Sequence, residues 1–263
     1  MRTAADLPRL AAQWRHVVKD EAEATVEVLG LGADAVVAKT YRNRGLRWLQ
    51  TLWRKSRAQR EHENLAAIVA AGVPCIEPLG WSAARRWLGV DSSTLLTRFL
   101  PDCVPLRDVL RATPPVAARS RSALAATMGA LVARLHRRGF LWCTPMPRNV
   151  LVVGDVAAAR LVVCDTPSVV RTGRDLHAGR LARIDLFLGA FSPSRRRDWS
   201  RSERLRWLLG YTDGDRELAR RLWRVMQRRR PLQNAVERAL AMATLTYVRG
   251  RLRPGQPAAP PTH

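Results

Sequence analysis

Lys39 is the side chain of this chain best placed by type and context to do chemistry. It closes the apolar run Ala35-Val36-Val37-Ala38. Only three of the 45 basic residues are lysines: Lys19, Lys39 and Lys55. Arginine has taken nearly every other cationic position, so a lysine kept on a strand-like segment implies a task that arginine does badly. An ammonium is a compact point charge on a flexible stem, whereas a guanidinium is a broad planar fork. Fitting between nucleotide phosphates and a carboxylate is such a task. Other polar residues, taken one at a time, have ordinary readings. Asn149 reads as a turn residue, Asp165 before Thr166-Pro167 as a turn or cap, and His136 as a packed structural histidine.

The bulk properties bound the setting. The chain has 263 residues, 47% apolar and 25% charged, enough for one large domain or two small lobes with a proper core. Its net charge of +23 implies either a solvated arginine-rich surface or attraction to polyanions: nucleic acid, an anionic membrane leaflet or a phosphorylated lipid. The cysteines Cys75, Cys103, Cys143 and Cys164 form no Cys-x-x-Cys pair, which argues against zinc and for buried free thiols in a reducing compartment. Met1–Gln13 lacks the shape of a signal peptide. Ala123–Leu135 carries Thr127 and Arg134 and falls short of a membrane span. The expectation is a cytoplasmic protein that touches a membrane surface without crossing it.

The elements that must position these residues follow from pattern. Residues 6–19 read as a short amphipathic helix. Ala24–Leu29 and Ala35–Tyr41 read as strands around the glycine-containing turn 30–34. Arg47–Ala71 reads as a long helix with a basic stripe of Arg54, Lys55, Arg57 and Arg60, stopped by Gly72. Pro74 and Pro78 flank a short strand, Trp81–Val90 a hairpin, and Thr94–Leu100 is another strand. Pro114-Pro115 opens a helix that runs to about Arg138. Val150–Val153 and Leu161–Cys164 are short apolar runs around a turn at Gly154-Asp155. Helices are expected at 177–190, 201–210, 214–229 and 232–249, and a disordered tail at 254–263. The result is an α+β arrangement of two lobes: a strand-rich lobe over 1–100 and a helical lobe over 101–253, with the boundary near Leu100-Pro101.

The order of strand lysine, helix glutamate, long helix ending Leu135-His136-x-x-Gly139, loop asparagine and strand aspartate resembles the protein-kinase fold. Within that fold the chain is similar to the bacterial lipopolysaccharide core kinases, which phosphorylate Kdo or heptose sugars. The segments that carry the resemblance are VVAKTY (36–41), REHENLAAIVAAGVPCIEPLG (60–80), LHRRGF (135–140), PRNVLVV (147–153), LVVCD (161–165) and RLARIDLFLGAF (180–191). They span roughly residues 24 to 190.

The resemblance implies roles. Lys39 grips the α- and β-phosphates of ATP. Glu61 orients it, with Glu63 as a competitor that points well around the helix. Asp165 and Asn149 hold Mg²⁺, for which carboxylate and amide oxygens are suitable ligands. Asp185 braces the catalytic loop, and His136 supports it structurally. The implied acceptor is an anionic lipopolysaccharide core or lipid A precursor at the inner membrane. The chain departs from the pattern in two places. Asp165-Thr166-Pro167 is not Asp-Phe-Gly. Trp142-Cys143-Thr144 stands where a His-x-Asp element is expected, so Thr144 holds the place of the catalytic aspartate. Asp155 and Asp175 are the candidate substitutes. Two further readings stay open: a pseudokinase that binds nucleotide or a partner without catalysis, and a basic nucleic-acid-binding protein. The second has scattered arginines but no recognition motif with interleaved aromatics.

Overall fold

The computed structural model describes residues 15–227 apart from 31, 45–47, 49–50 and 53. The expected helix at 232–249, the tail at 254–263 and residues 6–14 lie outside the described residues. The chain divides into two compact units. The first runs to Cys103 and includes Val162–Pro167. The second comprises Val104–Leu161 and the residues from Ser168 onward.

The first unit is built on an antiparallel five-stranded sheet: β1 (Arg15–Glu21), β2 (Ala24–Leu29), β3 (Val36–Arg42), β4 (Pro78–Arg86) and β5 (Gly89–Arg98), in the order β1-β2-β3-β5-β4. Side chains alternate across β3, as strand geometry requires. Val36 and Ala38 join Leu29 and Leu96 in a core cluster on one face. Val37, Lys39 and Tyr41 share the other face, and Lys39 is paired with Val26 and Leu95 in the ladder. Helix α1 (Arg57–Ala70) belongs to the same unit and buries Ala58, Glu61, Leu65 and Ile68. Glu61 thus sits on the helix face otherwise reserved for apolar residues.

The second unit contains strands β6 (Cys103–Pro105), β7 (Phe140–Leu141), β8 (Val150–Val153) and the start of β9 (Arg160–Val163), with β10 (Val170–Arg171) paired to β7. Its helices are α2 (Leu106–Leu110), α3 (Ala118–Arg137), α4 (Ala182–Leu186), α5 (Arg201–Tyr211) and α6 (Arg216–Gln227). The crossing of α3 and α5 is made at two glycines. A Cβ on Gly129 would collide with the Trp207 carbonyl, and one on Gly210 with the Ala126 carbonyl.

Several expected elements are corrected. Arg15–Glu21, expected to end a helix, is an exposed edge strand that pairs with β2 from Arg15↔Leu29 to Glu21↔Ala24. Its Val17-Val18 pair suits a strand, and cross-strand pairing overrides the helical spacing. The helix expected over Arg47–Ala71 is interrupted: residues 51 and 52 lie in a turn, and α1 begins at Arg57. Ser56 caps it by accepting a hydrogen bond from Gln59 N at 3.1 Å, and Thr51 lies in a turn, with its hydroxyl accepting from Val90 N. The helix expected at Pro114 begins at Ala118, after Ala117 at φ −52°, ψ 139°, outside the helical region. The helix expected at 177–190 is shorter. Ala178 N donates to the Tyr211 hydroxyl at 2.9 Å, which holds the segment in a turn. The α-helix covers Ala182–Leu186 and continues as one π-helical turn, Phe187–Phe191. Between Pro74 and Pro78 the described pairing is a single bridge, Cys75↔Val163.

Candidate functional site

Three of the predicted residues come together within the first unit. Lys39 Nζ lies 3.2 Å from Glu61 Oε1 and 2.8 Å from Asp165 Oδ1. Each partner is delivered by a separate device. The sheet presents Lys39. The buried stripe of α1 presents Glu61, which is fully buried. Asp165 follows β9, which is fixed to the segment before β4 by Ile76 N donating to Val163 O at 3.0 Å and Val163 N donating to Pro74 O at 3.1 Å. Asn64, one turn along α1 from Glu61, donates to Thr166 O at 2.7 Å and ties the residue after Asp165 to the helix.

The electrostatics follow from this packing. Burial alone would lower the Lys39 ammonium, but the Glu61 carboxylate, with Asp165, outweighs it and holds Lys39 well above the ordinary lysine range. It is therefore charged at neutral pH. Burial pushes the Glu61 carboxyl up, opposed chiefly by Lys39. At Asp165 burial also acts upward, but the ammonium beside it wins and the carboxyl lies below its usual range. Removing one partner of a buried ion pair leaves the other uncompensated, at a cost of about 3–5 kcal/mol.

The pattern missed Tyr41. Its hydroxyl donates to Glu61 Oε2, and its ring lies under the Arg57 guanidinium at 4.3 Å. A signal for it was present: residue 41 follows residue 39 by two and so must share its face of β3. Glu63, the competitor of Glu61, points elsewhere and pairs with Lys55 at 2.7 Å.

The remaining predicted residues lie in the second unit. Asp185 is fully buried and accepts hydrogen bonds from Trp142 N and Cys143 N, each at 2.7 Å, and faces His136 Nε2 at 3.0 Å. His136 Nδ1 meets the Tyr211 hydroxyl at 2.9 Å. These bonds hold Cys143 in a left-handed conformation, φ 67°, a strained one for a non-glycine residue. Asn149 Nδ2 donates to Thr144 O at 2.9 Å, which fixes its amide and leaves Oδ1 as the acceptor. The Thr144 hydroxyl is buried without a hydrogen-bond partner. Asp175 is committed to the turn, accepting from His177 N at 2.6 Å. Among the described residues no group of three or more His, Cys, Asp or Glu could by itself hold a metal ion, and no helix is long and apolar enough to cross a membrane.

Comparison with known proteins bears on this arrangement. The sequence model of the lipopolysaccharide kinase (Kdo/WaaP) family matches residues 47–175. No curated protein matches the chain significantly in sequence. Among the solved structures similar to it is WaaP in complex with acyl carrier protein. That structure is 18% identical over 84% of this chain and 90% of its own, with a TM-score of 0.59. At that identity the likeness is one of fold. Over residues 47–175 the chain is similar to the lipopolysaccharide kinase (Kdo/WaaP) family, which supports a function of the lipopolysaccharide core sugar kinase type on a kinase-like fold.

Proposed function

We propose that the chain transfers the γ-phosphoryl group of ATP to a hydroxyl of an inner-core sugar, acting at the cytoplasmic leaflet of the inner membrane. The observation that carries this reading is the contact of Lys39 with both Glu61 and Asp165. Lys39 is the group that would bind the α- and β-phosphates. Glu61 and Tyr41 keep its ammonium charged and aimed. Asp165 is the residue of the first unit that would hold Mg²⁺. A magnesium site needs few protein oxygens when substrate phosphates complete the shell, and the Asp165 side chain keeps a relative exposure of 26%, so this carboxylate suits the ion. When bound, the ion neutralises charge on the β- and γ-phosphates. The new bond forms between the acceptor oxygen and phosphorus as the bond to the ADP oxygen breaks. No carboxylate at residue 144 takes the acceptor proton, which then passes to a phosphoryl oxygen. General-base assistance is worth about 10²–10⁴ in rate, so turnover is expected to be slow.

Thr144 also favours a second reading, in which the module binds nucleotide and catalyses nothing. One experiment addresses both. Thermal denaturation is followed with ATP and Mg²⁺ for the unmodified chain, Lys39→Ala and Asp165→Ala, and phosphate transfer to core oligosaccharide is assayed alongside. Nucleotide should stabilise only the unmodified chain. An equal shift in all three proteins removes the assigned site. Stabilisation without any turnover, with turnover appearing in Thr144→Asp, decides for the second reading.

A further inference from the structure

The second unit carries a cavity that the kinase reading does not use. It has a volume of about 850 Å³ and is lined by Arg201, Ser202 and Leu205 of α5 and by Arg220, Trp223 and Arg224 of α6. That volume lies within the ~300–1,000 Å³ range of small-ligand pockets. The lining follows from helix periodicity. Arg220, Trp223 and Arg224 are spaced i, i+3, i+4 and share one face, while Ala219, Leu222 and Met226 are buried. Leu205 and Trp223 give the cavity an apolar floor. Phe191 backs Trp223 edge-on at 5.4 Å, and the Arg201 guanidinium lies 6.0 Å from the Trp223 ring.

Charge decides what this cavity suits. Among the described residues no carboxylate lines it and none pairs with Arg201, Arg220 or Arg224. Two nearby acids are already engaged, and Glu217, three residues before Arg220 on α6, does not line the cavity. Glu203 is held by Arg121 at 2.6 Å, and buried Asp198 by Arg111 and Arg195 at 2.8 and 2.7 Å. Nor is the amino end of α5 available, because Ser200 and Glu203 close it as a capping box. Beside the cavity, Arg204 is held below the ordinary arginine range, first by burial and then by Arg196 and Arg201. Positive charge is thus crowded around a concave apolar floor. Guanidinium forks match phosphate oxygens, and tryptophan favours the boundary between headgroups and acyl chains. A nucleic-acid strand would call for a longer basic groove with successive stacking aromatics.

We infer that the cavity between α5 and α6 seats the phosphate headgroup of an anionic membrane lipid and anchors the chain at the bilayer surface. The inference deepens the proposed function, whose acceptor is itself lipid-linked, and it rests on that reading for its membrane setting.

The test is flotation of the full chain with vesicles of phosphatidylcholine, alone or mixed with phosphatidylglycerol. The variants are Arg220→Gln/Arg224→Gln, Leu205→Asn, and the charge-matched control Arg138→Gln/Arg171→Gln, whose arginines are exposed elsewhere in the same unit. Each arginine near an anionic surface contributes about fivefold to partitioning. The first variant should therefore bind mixed vesicles about 30-fold more weakly, Leu205→Asn should also bind more weakly, and the control should change little. Equal loss in the control overturns the inference. So does binding of polyglutamate or an oligonucleotide that Arg220→Gln/Arg224→Gln weakens as much as it weakens vesicle binding. The ATP-induced thermal shift, measured on the same variants, should be unchanged. An absent shift in the unmodified chain would instead count against the nucleotide site, so the two failures are told apart.

Discussion

At the scale of single residues, the chemistry depends on a lysine whose neighbours fix its charge. Tyr41 is the unexpected member of that group. Burial first, and then the Glu61 carboxylate, push its phenol far up, so it stays protonated and donates. Tyr41→Phe deletes one hydrogen bond to a buried charged group, a loss of about 1.5–3 kcal/mol, and leaves the Lys39–Asp165 contact in place. The expected result is a fall in Tm of several degrees with the ATP-induced shift retained. An unchanged Tm would show that the hydroxyl contributes nothing to holding Glu61. Lys39 was legible in the sequence because a lysine is rare there and ends an apolar run. Glu61 could be separated from Glu63 only by knowing which face of α1 is buried. Asn64 was not legible as a contact, since its partner Thr166 lies about a hundred residues away and bonds through its backbone carbonyl.

At the scale of elements, Arg121 and Glu203 lock α3 to α5. Arg121 Nε donates to Glu203 Oε1 at 2.6 Å, and its other nitrogens reach Leu110 O at 2.6 Å and Asp198 O at 2.9 Å. Burial acts to raise the Glu203 carboxyl, but Arg121 and the Ser200 amide outweigh it and hold the group below the usual carboxylate range. A depressed folded-state pKa contributes stability that is present above the unfolded value, near pH 4.5, and lost as pH falls through the folded value. Glu203→Gln should therefore lower Tm at neutral pH and flatten the decline of Tm below about pH 4.5, as read from melting curves across an acid pH series. Parallel curves for the two proteins would show that this carboxylate plays no part in acid unfolding. The element pattern read best where local signals agreed. The β2–β3 strands, the body of α3, and α5 follow the apolar spacing closely. It read worst where tertiary contacts decide, as at Arg15–Glu21, whose fate depends on pairing with β2, and at 177–181, where the Tyr211 hydroxyl claims a backbone amide. Edge pairing and a side chain thirty residues distant leave no trace in a local window.

At the scale of the whole molecule, composition announced a net charge of +23 but not which cations are spent. The structure separates them. Lys39, Arg121, Arg111 and Arg195 are tied to carboxylates with little exposed surface, while Arg201, Arg220 and Arg224 gather around one cavity. Excess charge of one sign repels itself and works against the compact state. Raising NaCl from about 0.05 to about 0.5 M shortens the screening length from over 10 Å to about 4 Å. That distance is long enough to spare buried pairs at 2.6–3.2 Å and short enough to remove repulsion between arginines spread over a surface. The sign is therefore fixed: Tm should rise with salt, by a few degrees for each ~1 kcal/mol of repulsion relieved. The rise should be smaller in Arg220→Gln/Arg224→Gln, which already lacks part of the crowding. A Tm that falls as salt is added would mean that exposed ion pairs such as Arg98–Glu77 and Lys55–Glu63 outweigh the repulsion, and that the arginines of the cavity are not under strain from one another.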